Sequence, residues 1–181
     1  MMNEQYWREF YAKPHLELVS PSPFALWAGR WIRNRRVVDL GCGTGRDTQY
    51  FRLQNPDILG VDQFAPLGEG FLQSDIESFL RADPEVDVAY CRFLFHAIEA
   101  KLQKKILDWA FRHGATIYIE ARSTLDQPKP GHKRRLVDGQ QLVIEMIEQG
   151  FRLFHFEEGY GRACFGYENP HVFRIVAKGK V

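Results

Sequence analysis

VVDLGCGTGRD, residues 37–47, decides how the rest of the chain is read. An aliphatic, β-branched run carries one aspartate, and glycines then hold alternate positions at 41, 43 and 45. Such a run bounded by glycines reads as a buried strand, and the residues after it as the start of a helix. Glycines at a strand-to-helix turn let the backbone take positive φ and let a ligand lie directly against the main chain. In open α/β sheets ligands bind outside the carboxyl ends of the strands, so the turn predicts a site for a flat, extended small molecule.

The chain around this stretch alternates strand and helix patterns. RVVDL, DILGVD, VDVAYCRF, ATIYIEA, FRLFHFEE and HVFRIVAK read as strands. TGRDTQYFRLQN, SDIESFLRAD, AIEAKLQKKILDWAFRHG and DGQQLVIEMIEQG read as helices, the last with Asp138 as N-cap, Gln141 in the capping-box position and Gly150 as terminator. Alternation of this kind implies right-handed crossovers and a mainly parallel sheet covered on both faces. Only EEGYGRACFGYENP separates the last two strands, which suits an antiparallel pair. Before the glycine turn, residues 3–12 place Trp7, Phe10 and Tyr11 at helical spacing, and SPSPFALWAGRWI gives a second helix capped by Ser22 with Pro23 in its first position.

Spacing narrows the ligand. The dinucleotide fingerprint is G-x-G-x-x-G, whereas here Arg46 stands where its third glycine belongs. With Asp39 ahead of the glycines, VVDLGCGTGRD resembles motif I of the class I S-adenosylmethionine (SAM) dependent methyltransferases. DILGVD ends in Asp62, where the family has an acid that accepts the ribose hydroxyls. LQSDIE puts Asp75 where an aspartate meets the adenine amino group, with Ile76 beside the ring, and VDVAYCRFLFHAI is similar to the fourth motif. The resemblance runs from about Val37 to the final strand. It implies a single-domain, Rossmann-like α/β fold with a seven-stranded-type sheet, one strand antiparallel at the C-terminal end, and SAM as cofactor with S-adenosylhomocysteine as product. The cofactor residues it implies are Asp39, Gly41, Cys42, Gly43, Gly45, Arg46, Asp62, Gln63, Asp75, Ile76 and Arg92. Competing roles stand beside these: a turn or cap residue for Asp62, the N-cap of the next helix for Asp75, and for Asp39 the ordering of the loop through its amides. QFAPLGEGFLQS departs from the family, because its proline and two glycines reduce the usual helix there to a turn.

Acceptor-side candidates lie beyond the later strands. Arg92 and His96 follow the fourth, Glu120 and Arg122 end the fifth, and GHKRR supplies His132, Lys133, Arg134 and Arg135. Arginine forks match phosphate and carboxylate groups, so this set points to a small anionic acceptor, with His96 or His132 taking a hydroxyl proton and Arg92 and Arg122 as the other catalytic candidates. The opposing reading pairs Arg92 and Arg122 with Glu120 or Glu99. A phosphate oxygen as acceptor needs no base. YWREFY, SPSPF, the RFLFHAI stretch and the arginine-rich loop resemble, more loosely, small methyltransferases associated with bacterial surface polysaccharide synthesis. That likeness makes residues 1–34 a helical lid over a core of 35–181, with Tyr6 and Tyr11 toward the substrate, against the alternative of a permanently packed helix. The function implied is O-methylation of a sugar, sugar phosphate or glycan-linked phosphate; the alternatives are a non-catalytic SAM-binding regulator or subunit, and an N-methyltransferase of a small molecule.

Composition sets the outer limits. The 181 residues, 45% hydrophobic and 26% charged, suit one globular domain. A net charge of +1 provides no footprint for a polyanion, and YCRF replaces the N/D-P-P-Y/F motif of base-amine methyltransferases, so no nucleic-acid partner is expected. Three scattered cysteines suggest neither disulfides nor a metal, the expected location is cytoplasmic, and no run is apolar enough to insert in a membrane. A monomer and a homodimer are equally compatible with the sequence.

Overall fold

The structure is a computed structural model that describes residues 9, 20–127, 135–163 and 168–179. Tyr6, Tyr11, His132, Lys133 and Arg134 lie outside the described residues, as does the helix expected over 3–12 apart from Glu9, which is helical.

Helix α1 (Pro23–Ala28) starts as its sequence dictates: Ser22 Oγ accepts the Ala25 amide at 3.0 Å and proline takes the first position. Strand β1 (Val37–Leu40) is buried at every residue, as a central parallel strand covered on both faces must be. The chain then runs through α2 (Arg46–Arg52), β2 (Ile58–Asp62), β3 (Phe71–Gln73), α3 (Ile76–Arg81), β4 (Val88–Arg92), a 3₁₀ turn (Phe95–Ala97), α4 (Ala100–Arg112), β5 (Thr116–Arg122), α5 (Gly139–Gln149), β6 (Arg152–Gly159) and β7 (Val172–Lys178). The seven strands lie in the order β3-β2-β1-β4-β5-β7-β6. All pairs from β3 to β5 are parallel, and β7 is antiparallel to both β5 and β6.

Three local details depart from the sequence reading. Residues 63–70 form the expected turn with no helix, but a strand the sequence did not assign follows it: β3 is three residues long and largely exposed beyond Phe71, too short to carry a period-2 signal. Residues 95–97 form a separate 3₁₀ turn ahead of α4, so the helix expected from Ala97 begins at Ala100. Asp138 caps α5 through the amides of Gln140 and Gln141, but the Gln141 amide group bonds Glu145 instead of closing a capping box.

Alternation along the strands divides the core in two. Val38, Leu40, Ala89, Cys91, Ile117 and Ile119 pack with Phe79, Ile106, Trp109, Leu142 and Met146 of α3, α4 and α5. Val37, Val88, Tyr90 and Tyr118 face the other way and pack with Phe24, Ala25, Ala28 and Ile32 from the α1 region and Phe51 of α2. Described residues of the 1–34 segment are therefore part of the core's cover. The strand order reverses between β1 and β4, and the carboxyl ends of these two strands bring the glycine turn beside Phe93 and Leu94.

Candidate functional site

At the end of β1 the chain turns through Gly41, Gly43 and Gly45 with φ of +75°, +54° and +76°. The amides of Gly41 and Cys42 donate to the Val61 carbonyl, tying the turn to β2. Gly45 has a second reason to lack a side chain, since a Cβ there would sit 2.4 Å from the Phe71 ring.

Asp62 ends β2 and braces this turn: Oδ2 accepts the Gly43 amide at 3.2 Å and Oδ1 the Phe64 amide at 2.8 Å. Burial raises its pKa and those two amides oppose the rise. The loop-ordering role expected of Asp39 thus falls to Asp62. Asp39, 3% exposed, instead accepts the hydroxyl of Thr48 in α2 at 2.7 Å. Burial first, then the neighbouring Asp47 charge, pushes its pKa up to about 7. Asp75 caps α3 by accepting the Ser78 amide at 2.8 Å and the Ser78 hydroxyl at 2.7 Å; these bonds lower its pKa. Each Asp62 and Asp75 oxygen keeps acceptor capacity beyond these bonds.

Gly41, Asp62, Gln63, Asp75, Ile76, Phe93 and Leu94 line one cleft of about 560 Å³, within the usual range for a small-molecule site. A nucleoside fits its chemistry: apolar walls from Ile76 and Leu94, and a carboxylate at each of two strand ends. Cys42, Gly43 and Gly45 form the turn, and neither they nor Asp39, Arg46 and Arg92 line the cleft.

Beyond β4 the structure assembles the acceptor-side candidates around a residue that the sequence did not single out. Phe93 has a φ of +57°, sparsely populated for a bulky side chain, and its amide is held by the Glu120 carbonyl at 2.7 Å. The Arg92 guanidinium lies 4.3 Å from the Phe93 ring centroid, that of Arg122 5.9 Å, and the His96 ring meets its edge at 5.2 Å. Glu120, 1% exposed, accepts Arg92 Nε at 3.1 Å and Arg174 Nε at 2.7 Å, and burial nonetheless raises its pKa. Arg122 pairs with Asp126 at 3.0 Å and with Glu168, and neither arginine reaches Glu99. Nδ1 of His96, a residue 2% exposed, accepts the Arg122 amide at 3.1 Å. The His96 carbonyl accepts the Arg135 amide, while the Arg135 side chain is exposed.

Asp47 is a second residue whose role the sequence concealed. It is 6% exposed and accepts the Ser22 amide at 2.8 Å, the Ser22 hydroxyl at 2.6 Å, the Tyr90 hydroxyl at 3.0 Å and Arg46 Nε at 3.2 Å. Arg92 Nε stands 4.0 Å away. One carboxylate thus joins the α1 cap, the glycine turn and β4. Burial lowers the Arg92 pKa, but Glu120, Tyr90 and Asp47 outweigh it and leave the guanidinium firmly charged. Among the described residues, hydrogen bonds reach only the Nε of Arg46 and Arg92, so four Nη groups next to the glycine turn remain available as donors. No group of three or more His, Cys, Asp or Glu among the described residues is arranged to hold a metal ion.

A family model described as a methyltransferase domain matches residues 8–148. Among solved structures, the 1,6-didemethyltoxoflavin N1-methyltransferase of Burkholderia thailandensis, bound to 1,6-didemethyltoxoflavin and S-adenosylhomocysteine, is 17% identical. The match covers 98% of this chain and 85% of that one, with a TM-score of 0.72. A SAM-dependent methyltransferase from Archaeoglobus fulgidus is 16% identical over 98% of this chain and 100% of that chain, with a TM-score of 0.63. The N-methyltransferase NodS of Bradyrhizobium japonicum, in complex with S-adenosylhomocysteine, is 11% identical, covers 98% of each chain and has a TM-score of 0.66. At these identities the likeness is one of fold. No curated protein matches the chain.

Proposed function

The chain belongs to the methyltransferase-domain family, and from that premise we propose that this SAM-dependent enzyme methylates an oxygen of a small polar acceptor bearing an anionic group. SAM, when bound, supplies an electrophilic methyl on a sulfonium. The chain's own residues then have to hold the cofactor, bring an acceptor atom into line and exclude water. Asp62 accepts ribose hydroxyls while bracing the turn, and Asp75 accepts from the adenine amino group while capping α3. Gly41, Gly43 and Gly45 keep side chains out of the way, and Arg46 offers its Nη groups to the amino-acid carboxylate.

The observation that carries the acceptor class is Arg92. Its Nε is fixed on Glu120, its guanidinium rests on Phe93, a wall of the cleft, and its Nη groups have no hydrogen-bond partner among the described residues. A fork anchored at one side and open at the other suits a phosphate or carboxylate. Arg122, spent on Asp126 and Glu168, is assigned to positioning. His96 receives the same role, because its Nδ1 lone pair already holds the Arg122 amide and the neutral ring then carries its hydrogen on Nε2. An acceptor that arrives as an anionic oxygen needs no base from either residue, and a sugar phosphate is the class to try first.

N-methylation is the second reading. It is favoured by the engaged His96, since an uncharged amine also needs no base, and by the N-methyl transfer named for two proteins of like fold. Transfer of labelled methyl from SAM to a panel of sugar phosphates, carboxylates and amines separates the two. We expect label on the anionic oxygens and a raised acceptor KM in Arg92→Gln; label confined to amines, with KM unchanged in the variant, overturns the reading.

A further inference from the structure

At the opposite end of the sheet a second cleft, about 440 Å³, gathers Trp31, Arg35, Arg36, Tyr118 and Lys178 around the starts of β4 and β5. It shares no lining residue with the first. Lys178 joins it because β7 runs antiparallel, which sets Lys178 beside Thr116.

The acids here are already taken. Glu85 and Asp87 pair with Arg36, and Asp83 nearby pairs with Arg112 and His113. Arg35 and Lys178 have no ion-pair partner among the described residues; the Arg35 backbone amide donates to Asn55, and its side chain, unpaired, is near enough to help Arg36 lower the Asp87 pKa. Tyr118 is 6% exposed, yet its hydroxyl has no hydrogen-bond partner among the described residues. Arg35 is close enough to oppose the burial that raises the Tyr118 pKa. Trp31, in the run GRWIRNRR, leaves 70% of its surface in water. The cleft therefore combines two spare cations, a spare hydroxyl and an uncovered flat ring.

Those groups are complementary to a phosphate attached to an aromatic ring. An arginine fork and an ammonium hold phosphate oxygens, a phenol donates to one more, and an exposed indole stacks on a base. We propose that this cleft binds a small aromatic phosphomonoester of the nucleoside monophosphate class, with its phosphate on Arg35, Lys178 and the Tyr118 hydroxyl and its ring on Trp31. The site is independent of the acceptor assigned above.

The test is calorimetric titration of the full chain with AMP, adenosine, ribose 5-phosphate and inorganic phosphate, each with S-adenosylhomocysteine present in excess so that the first cleft is filled. AMP is expected to bind with that ligand present, and adenosine, ribose 5-phosphate and phosphate each at least about tenfold more weakly, since each lacks one half of the recognition. The Arg35→Ala/Lys178→Ala double variant and Trp31→Ala, both surface changes whose folding is checked by melting temperature, are expected to weaken AMP by about tenfold or more. Tyr118→Phe should weaken it less, and raising salt should weaken it further. Absence of AMP binding at millimolar concentration overturns the proposal. So does loss of AMP binding to S-adenosylhomocysteine, phosphate binding as tightly as AMP, or unchanged affinity in the double variant.

Discussion

Asp39→Asn isolates the most unusual charge in the structure. Asp39 is 3% exposed, with Thr48 as its hydrogen-bond partner and Asp47 and Asp62 adding repulsion, and its pKa rises from an ordinary 3.8 to about 7. At about 1.36 kcal/mol per pH unit, that difference amounts to about 4 kcal/mol. The direction follows from proton uptake: below about pH 4 both states hold the proton and the site costs nothing. Between about pH 4 and about pH 7 the unfolded chain releases it while the native chain keeps it, so stability falls as pH rises, and above about pH 7 the whole cost is present. Asparagine keeps an acceptor for Thr48 and does not titrate. Urea unfolding of wild type and variant near pH 4.5 and near pH 8, without ligand, should show the variant's relative stability improving by about 3 kcal/mol between the two. A difference between the proteins that stays constant across this range would refute the reasoning, because packing effects of the substitution do not depend on pH.

Gly45→Ala combines a left-handed φ of +76° with a Cβ placed 2.4 Å from the Phe71 ring, so thermal unfolding should report a loss on the order of 2 kcal/mol or more. Tyr90→Phe removes the hydroxyl that donates to Asp47 at 3.0 Å, and should cost about 1–3 kcal/mol in denaturant unfolding. Ser22→Ala loses both the α1 cap and a bond to the same carboxylate. A double-mutant cycle with Tyr90→Phe should therefore give a coupling of about 0.5 kcal/mol or more; strict additivity would dissolve the Asp47 hub.

What the sequence disclosed was local in the chain. The glycine turn, the Ser22 and Asp138 caps and the buried strands each depend on residues a few positions apart, so pattern and propensity were enough to find them. β3 escaped because three residues, two of them exposed, leave no periodicity. The Asp47 hub escaped for a different reason: its partners Ser22 and Tyr90 lie 25 and 43 positions away, and only the sheet brings them together. Arg92 and Arg122 were visible as cations, but their acids were not assignable. Glu120 stood among the candidates and Asp126 and Glu168 did not, because register decides the pairing. Phe93 looked like one more apolar residue after β4, and its left-handed backbone appears only once Glu120 grips its amide. The second cleft draws on residues between 31 and 36, 85 and 88, and 112 and 118, together with Lys178, a set that no linear motif contains.

The central claim is that the cleft beside the glycine turn holds SAM through Asp62. Calorimetric titration of wild type and Asp62→Ala with SAM and S-adenosylhomocysteine, with NAD as control, tests it most directly. The account predicts micromolar binding of both ligands by wild type, none of NAD, and a loss of about tenfold to a hundredfold in the variant, as expected for a charged acceptor of ribose hydroxyls. Equal affinity in wild type and Asp62→Ala, or preference for NAD, would contradict it.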